Sequence, residues 1–306
     1  MQLYGVLILL SLIWGLSFVF IEELIVSAGV WGTVLLRCLA GAVILLPLFI
    51  LQIKKMKSAG PLPWKAISTV GIFNAGLPWG LIALSQTEIT SNTAAVLNAS
   101  TPILTGLMGF IFFSVLLNKK QWGGIGLGFI GILILMNFNV HELFSGHFIG
   151  IGTMIMAAAC YGFSSQFSKR HLQNVNVIVL TTLSLFVGAI VGGVGVILTE
   201  PAFFSTLKNS IDPIFIVSLI GLGCLGSGIA HLLLYYLIKK GGAEFAVTVT
   251  YLVPLTALMW GHVLLGEAVS QNLVAGLVII FLGVYLANQR PKAQRRDLNY
   301  LRRKQA

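Results

Sequence analysis

Apolar residues fall into ten blocks, roughly at 3–21, 29–51, 65–86, 91–114, 121–137, 147–168, 176–198, 213–238, 243–264 and 270–288. Short polar connections separate them. Each block is long enough to cross the hydrocarbon of a bilayer as a helix, which takes about 20 residues. A spanning helix satisfies its own backbone in lipid, whereas a β-barrel would show shorter, alternating segments. The longest connections, 54–63 and 200–212, leave no room for a soluble domain. The pattern predicts an all-α polytopic membrane protein with ten transmembrane helices.

The blocks repeat. Pro102, Gly124 and Gly131 recur as Pro254, Gly276 and Gly283, each 152 residues further on, and Gly71 and Gly76 recur as Gly223 and Gly228 at the same offset. Such self-similarity marks an internal duplication. Trp14-Gly15-Leu16-Ser17 is echoed by Tyr161-Gly162-Phe163-Ser164. The chain divides into a first five-helix repeat (1–144), a second (145–289) and a tail (290–306).

Composition agrees with lipid as the solvent. The chain is 57% hydrophobic and 9% charged, against about 25% charged in soluble domains. Cys38, Cys160 and Cys224 are scattered through apolar blocks and suggest neither a disulfide framework nor a metal site. No basic n-region or cleavage signal precedes block 3–21, which reads as an uncleaved first helix.

Charge sets an orientation. Basic residues cluster at 54–65, 119–120, 169–170, 239–240 and 290–304, which together hold 17 of the 19. The opposite connections carry only Lys208, together with Glu22, Glu23, Glu88, Glu142, Glu200, Asp212 and Glu267. The positive-inside rule then places both termini in the cytoplasm of a cell (plasma) membrane protein. Five spans per repeat is an odd number, so the second repeat is expected upside down. Inverted repeats are a construction of secondary transporters, with the substrate site near the midplane.

The order WGLSF at 14–18, Arg37 early in the second block, a fourth block broken at Pro102, and YLVP…LLGE…AGLVIIFLG at 251–283 resembles the EamA family of the drug/metabolite transporter superfamily. The resemblance implies two inverted five-helix repeats, alternating access, and export of amino acids or other metabolites. One departure is visible: Gly266-Glu267 is replaced by Ser114-Val115 in the first repeat.

Several residues are candidates for chemistry. Pro102 and Pro254 lie near mid-bilayer and free the carbonyls of Asn98 and Thr250. Those carbonyls either face a wet cavity or are satisfied by neighbouring Ser and Thr side chains. Arg37 is the one basic residue within a block. It either contacts a substrate carboxylate or is a structural arginine bonded to carbonyls, Glu22 or Glu267. Glu267 either caps the start of span ten or helps close an outer gate. Trp14, Asn74, Trp79, Asn98, Tyr235, Thr250 and Tyr251 are expected to face a shared substrate cavity. His231 and His262 are either hydrogen-bonded structure or proton carriers.

Small-xxx-small pairs, Gly124/Gly128 and Gly188/Gly192, suit close helix packing within the chain, with a homodimer as the other reading. The basic tail suits anionic lipid rather than nucleic acid. No Walker motif, metal cluster or nucleophile constellation appears, so neither cofactor, metal nor catalytic residue is expected and the chain does not read as an enzyme. The leading expectation is a secondary transporter for a small molecule. A multidrug exporter and a passive channel are the alternatives.

Overall fold

The computed structural model describes residues 2–55, 62–135, 147–241, 245–246 and 248–287. The basic tail, Lys57 and the connection carrying Glu142 lie outside the described residues. The described residues form helices joined by short turns, with no strand among them. In order they form α1 (Gln2–Lys55), α2 (Trp64–Gly71), a π-helical segment (Ile72–Gly76), α3 (Leu77–Gln86), α4 (Ser91–Asn98) and α5 (Thr101–Phe113). Then come α6 (Lys119–Leu135), α7 (His147–His171), α8 (Val177–Thr199), α9 (Phe203–Asn209), α10 (Pro213–Leu219), a second π-helical segment (Ile220–Ile229), α11 (Ala230–Gly241), α12 (Val249–Leu265) and α13 (Gln271–Ala287). Five continuous helical runs are long and apolar enough to cross a membrane, and the pair α4–α5, bent by 45°, makes a sixth. The chain is a helical membrane protein.

Helix ends follow local chemistry. Thr90, Asn176 and Asp212 accept backbone N–H groups at the starts of α4, α8 and α10, as N-caps do. The end of α5 and the end of α12 share one geometry, 152 residues apart. Ser114 (φ 56°) and Gly266 (φ 68°) both turn left-handed, and the next N–H, of Val115 or Glu267, returns to the carbonyl of Gly109 or Gly261. Glycine adopts that φ freely; a serine there is strained.

Helix α1 is two helical runs joined at Gly29, whose φ of 73° and ψ of −177° are open essentially to glycine alone. The Glu200 carboxylate lies where a Cβ on Gly29 would stand. It accepts the N–H groups of Trp31 and Gly32 at 2.9 and 3.0 Å, capping the second run.

Glycine contacts pair the two halves of the chain. A Cβ on Gly124 would meet the Gly283 carbonyl, and one on Gly131 the Gly276 carbonyl. Gly71 faces Val187 while Gly223 faces Ala40; Gly76 faces Val191 while Gly228 faces Ile44. Gly15 lies on Ala257 and Gly162 on Thr105. Each of these contacts from the first half onto the second has its counterpart from the second onto the first. The glycines of both small-xxx-small pairs are spent on such internal contacts: Gly128 on Ile103, Gly188 on Cys38 and Ala75, and Gly192 on Leu35.

Candidate functional site

A cavity of about 680 Å³ lies between the halves. Its polar lining comes from α1 (Trp14, Ser17, Arg37), the first π segment and α3 (Asn74, Trp79), α4–α5 (Asn98, Thr101, Thr105), α7 (Tyr161, Ser165), α11 (His231) and α12 (Thr250). Pro102 and Pro254 also line it. A second cavity of about 400 Å³ shares Asn74, Trp79, Ser165, His231 and Leu234 with the first and extends to Ser168 and Ile238. Those two residues directly precede Lys169 and Lys239. The polar path therefore runs from the centre of the molecule towards the basic end.

Both π segments reach this cavity: Asn74 sits on the first and Gly226 on the second. A π turn bonds residue i to i+5 and locally widens the helix, and such turns are frequent at functional sites. The Trp14 indole N–H donates to the Gly226 carbonyl at 3.2 Å, and Ser227 Oγ donates to Leu222 O at 3.0 Å.

Among the described residues, Arg37 carries the only formal charge in the lining of either cavity, and no Asp or Glu lines them. It is 6% exposed. Its guanidinium lies over the Trp79 ring, 3.7 Å from the centroid, a cation–π contact. Its Nε and Nη2 both donate to Ser227 Oγ, at 3.3 and 3.2 Å. Tyr161 neighbours both Arg37 and Trp79. Carbonyls, Glu22 or Glu267 are the structural partners expected from the sequence; among the described residues a hydroxyl and an indole face hold Arg37 instead. A guanidinium has five N–H donors in a fork that matches a carboxylate.

At the first helix break a neighbouring hydroxyl satisfies the freed carbonyl, the second of the two readings open in the sequence. The Asn98 carbonyl does not wait for a ligand, because Thr101 Oγ1 donates to it at 2.7 Å. The break shared by the halves is a hydroxyl-closed turn. Ser100 Oγ donates to Leu97 O as Thr248 Oγ1 donates to Phe245 O, and Ile103 N returns to Ser100 O as Tyr251 N returns to Thr248 O. These positions correspond at an offset of 148, so Pro254 sits one helical turn further along its helix than Pro102 does.

Glu267 caps the start of α4, not of span ten. Its carboxylate accepts the N–H groups of Ser91 and Asn92, each at 2.8 Å, while Ser270 Oγ accepts the Leu273 N–H at the start of α13. Gln86 Nε2 donates to Phe18 O at 2.9 Å and Ser85 Oγ to Gly150 O at 2.7 Å towards the same end, and Trp260 Nε1 donates to Leu12 O at 3.2 Å nearer the centre.

Of the expected cavity residues, Trp14, Asn74, Trp79, Asn98 and Thr250 share one lining. Tyr251 packs its ring edge-on to Phe281 of α13 at 5.7 Å and is not part of that lining. The side chain of Tyr235 lies outside the description. The lining adds Tyr161, Ser165, Thr105 and His231, whose Nδ1 meets the Ser227 carbonyl at 2.9 Å. Tyr161 had a signal in the sequence, since it stands where Trp14 stands in the earlier echo.

Comparison with known proteins agrees with this architecture. The profile of the EamA-like transporter family matches residues 3–137 and again 148–289. An "Uncharacterized transporter" of Archaeoglobus fulgidus is 26% identical over 94% of this chain and 98% of its own. The "Uncharacterized inner membrane transporter YedA" of Escherichia coli K12 is 26% identical over 95% and 94%. A solved crystal structure has the same fold at a TM-score of 0.54, with 15% identity over 94% of this chain and 97% of that one.

Proposed function

The chain belongs to the EamA-like transporter family, and from that premise we propose that it is a secondary transporter of the cell membrane that exports a small carboxylate-bearing metabolite, such as an amino acid, by alternating access. Membrane transport is the general role of its relatives. The single observation that carries the finer reading is the central cavity: both halves line it, it holds one cation and no acid, and it reaches the basic end while side-chain contacts close the acidic end.

In this reading α1 supplies two spans, joined at Gly29. Each of the sets α2–α3, α4–α5 and α10–α11 forms one span, and α6, α7, α8, α12 and α13 one each, making ten. The reciprocal glycine contacts support two repeats related by a pseudo-two-fold axis, because under such an axis a contact from i to j implies one from j to i. With an odd number of spans per repeat, that axis lies in the membrane plane. The positive-inside rule then puts the basic end and both termini in the cytoplasm. The substrate site faces inward and is shut on the outside, the geometry from which an exporter loads.

The cavity lining favours an anion or zwitterion over an organic cation, since a cation would meet Arg37 with no acid to pair with. This separates the metabolite reading from a multidrug exporter of cations. Single cysteines at Asn98 and at Thr250 are expected to react with a small charged thiol reagent applied from the cytoplasmic side several-fold faster than from the outside. Cys38 of the wild type is buried and is expected to remain inert. Equal reaction from both sides would point to a channel, and no reaction from either side would remove the cavity as a site.

A further inference from the structure

The acidic end of the bundle holds a second polar cluster that the cavity does not use. There the Glu22 carboxyl neighbours the Glu267 carboxyl and the backbone of Ser91. Glu22 Oε2 is buried with no donor in reach. Gln86 Oε1, Ser91 Oγ and both polar side-chain atoms of Asn92 are also buried and unpartnered, and Ser184 Oγ is the only such atom elsewhere among the described residues. Ser91 and Asn92 are each 1% exposed and Gln86 is 7% exposed. Asn92 Oδ1 and Glu267 Oε2 converge over Gly261, both close to where its Cβ would stand.

Charge balance is missing here. Two ionised carboxylates only accept hydrogen bonds, so a contact between them requires a proton or leaves two like charges together. Around the pair the titratable groups are Glu23 beside Glu22, Glu88 ahead of α4, and His262, whose Nδ1 meets the Glu267 carbonyl at 3.1 Å. No Lys or Arg pairs with Glu22 or Glu267 among the described residues. Both Glu267 oxygens already accept a backbone N–H, whereas Glu22 Oε2 has no hydrogen-bond partner. Glu22 is therefore the carboxyl that is left to hold a proton.

We propose that Glu22 and Glu267 form a proton-binding site on the outer closure: one proton, carried by Glu22 and shared with Glu267, is held while the acidic end is shut. Opening that end takes Glu267 away from Ser91 and Asn92, admits water to Glu22, and releases the proton to the outer solution, from which the site takes it up again as the end closes. The site itself stands on side-chain geometry, and only its use in coupling rests on the transporter reading. If transport fails, the site remains measurable.

The test uses the purified full-length protein in detergent. Infrared difference spectra between about pH 5 and about pH 9, a range that covers carboxyls shifted by burial, are expected to show one protonated carboxyl band that Glu22→Gln removes and Glu88→Gln retains. The wild-type thermal midpoint is expected to fall by roughly 1–3 °C as pH rises through this range, the shift that about 1 kcal/mol makes at this chain length. Glu22→Gln, a neutral mimic of the protonated acid, is expected to keep the acidic-pH midpoint throughout. Should that variant not fold, Glu22→Met, of similar volume, carries the same comparison. A band unchanged by either variant, or identical pH profiles for wild type and variant, would overturn the proposal. So would stabilisation of the wild type by sodium chloride over choline chloride at alkaline pH, lost in Glu22→Gln, because the bound cation would then be sodium.

Discussion

Arg37→Met is expected to lower the transport kcat/KM for a carboxylate substrate by at least about 100-fold, while the protein still inserts and folds. A charge-assisted bidentate contact in a desolvated site is worth about 2–5 kcal/mol when one partner is truncated, and about 2.8 kcal/mol is 100-fold. The guanidinium is buried, stacked on Trp79 and bonded only to the Ser227 hydroxyl among the described side chains. Its fork has donors to spare and faces a cavity without an acid. Arg37→Lys keeps the charge but loses the fork and the flat stack on Trp79, so an intermediate loss, about 10-fold, is expected. A purely structural arginine makes a different forecast: a lower thermal midpoint with unchanged substrate preference. The discriminating readout is competition by an amino acid against its amide. Wild type should favour the carboxylate strongly, and Arg37→Met should lose that preference.

Gly15→Ala and Gly162→Ala are expected to destabilise the protein by similar amounts, about 1–3 kcal/mol each, the usual range for an inserted methyl in a packed interior. A Cβ on Gly15 would lie 2.7 Å from the Ala257 nitrogen, and one on Gly162 would lie 2.9 Å from the Thr105 nitrogen. Both obstacles are backbone, which cannot rotate away. Gly5, Gly126 and Gly152 lie in helices with nothing within 4 Å of an added Cβ. Alanine there is expected to be neutral or stabilising by roughly 0.4–1 kcal/mol, because it restricts the unfolded chain. Thermal unfolding in detergent therefore reads a difference of sign between the two sets. Matched losses at Gly15 and Gly162 follow from the two-fold relation between the halves; a large loss at one and none at the other contradicts it.

Much of this was legible in the chain because membrane helices advertise themselves. The apolar blocks mark helices, and glycines at a fixed offset mark positions where backbones touch. Depth is readable too: Trp14, Asn74, Asn98 and Thr250 lie well inside their blocks, and they share one lining. Direction around a helix is harder. Thr250 lines the cavity and Tyr251, about 100° further around, meets Phe281. Through-space partners were not readable at all. Glu267 lies next to span ten in sequence, yet its carboxylate reaches Ser91 and Asn92, 175 residues or more away. The offset of 152 drew attention to Pro102 and Pro254, whereas the turns that correspond are closed by Ser100 and Thr248. An offset carried by glycines and prolines does not see a hydroxyl-closed turn displaced by four residues.

Solute counterflow in proteoliposomes tests the central claim most directly. Vesicles holding the purified protein are preloaded with a concentrated mixture of unlabelled amino acids and diluted into single labelled ones at trace concentration. A carrier with one alternately exposed site is expected to accumulate at least one labelled amino acid transiently above its equilibrium level, saturably, and Arg37→Met vesicles are expected to show no overshoot. Labelled solute that only equilibrates, at a rate linear in concentration and equal in wild-type and Arg37→Met vesicles, would contradict both alternating access and the Arg37 site.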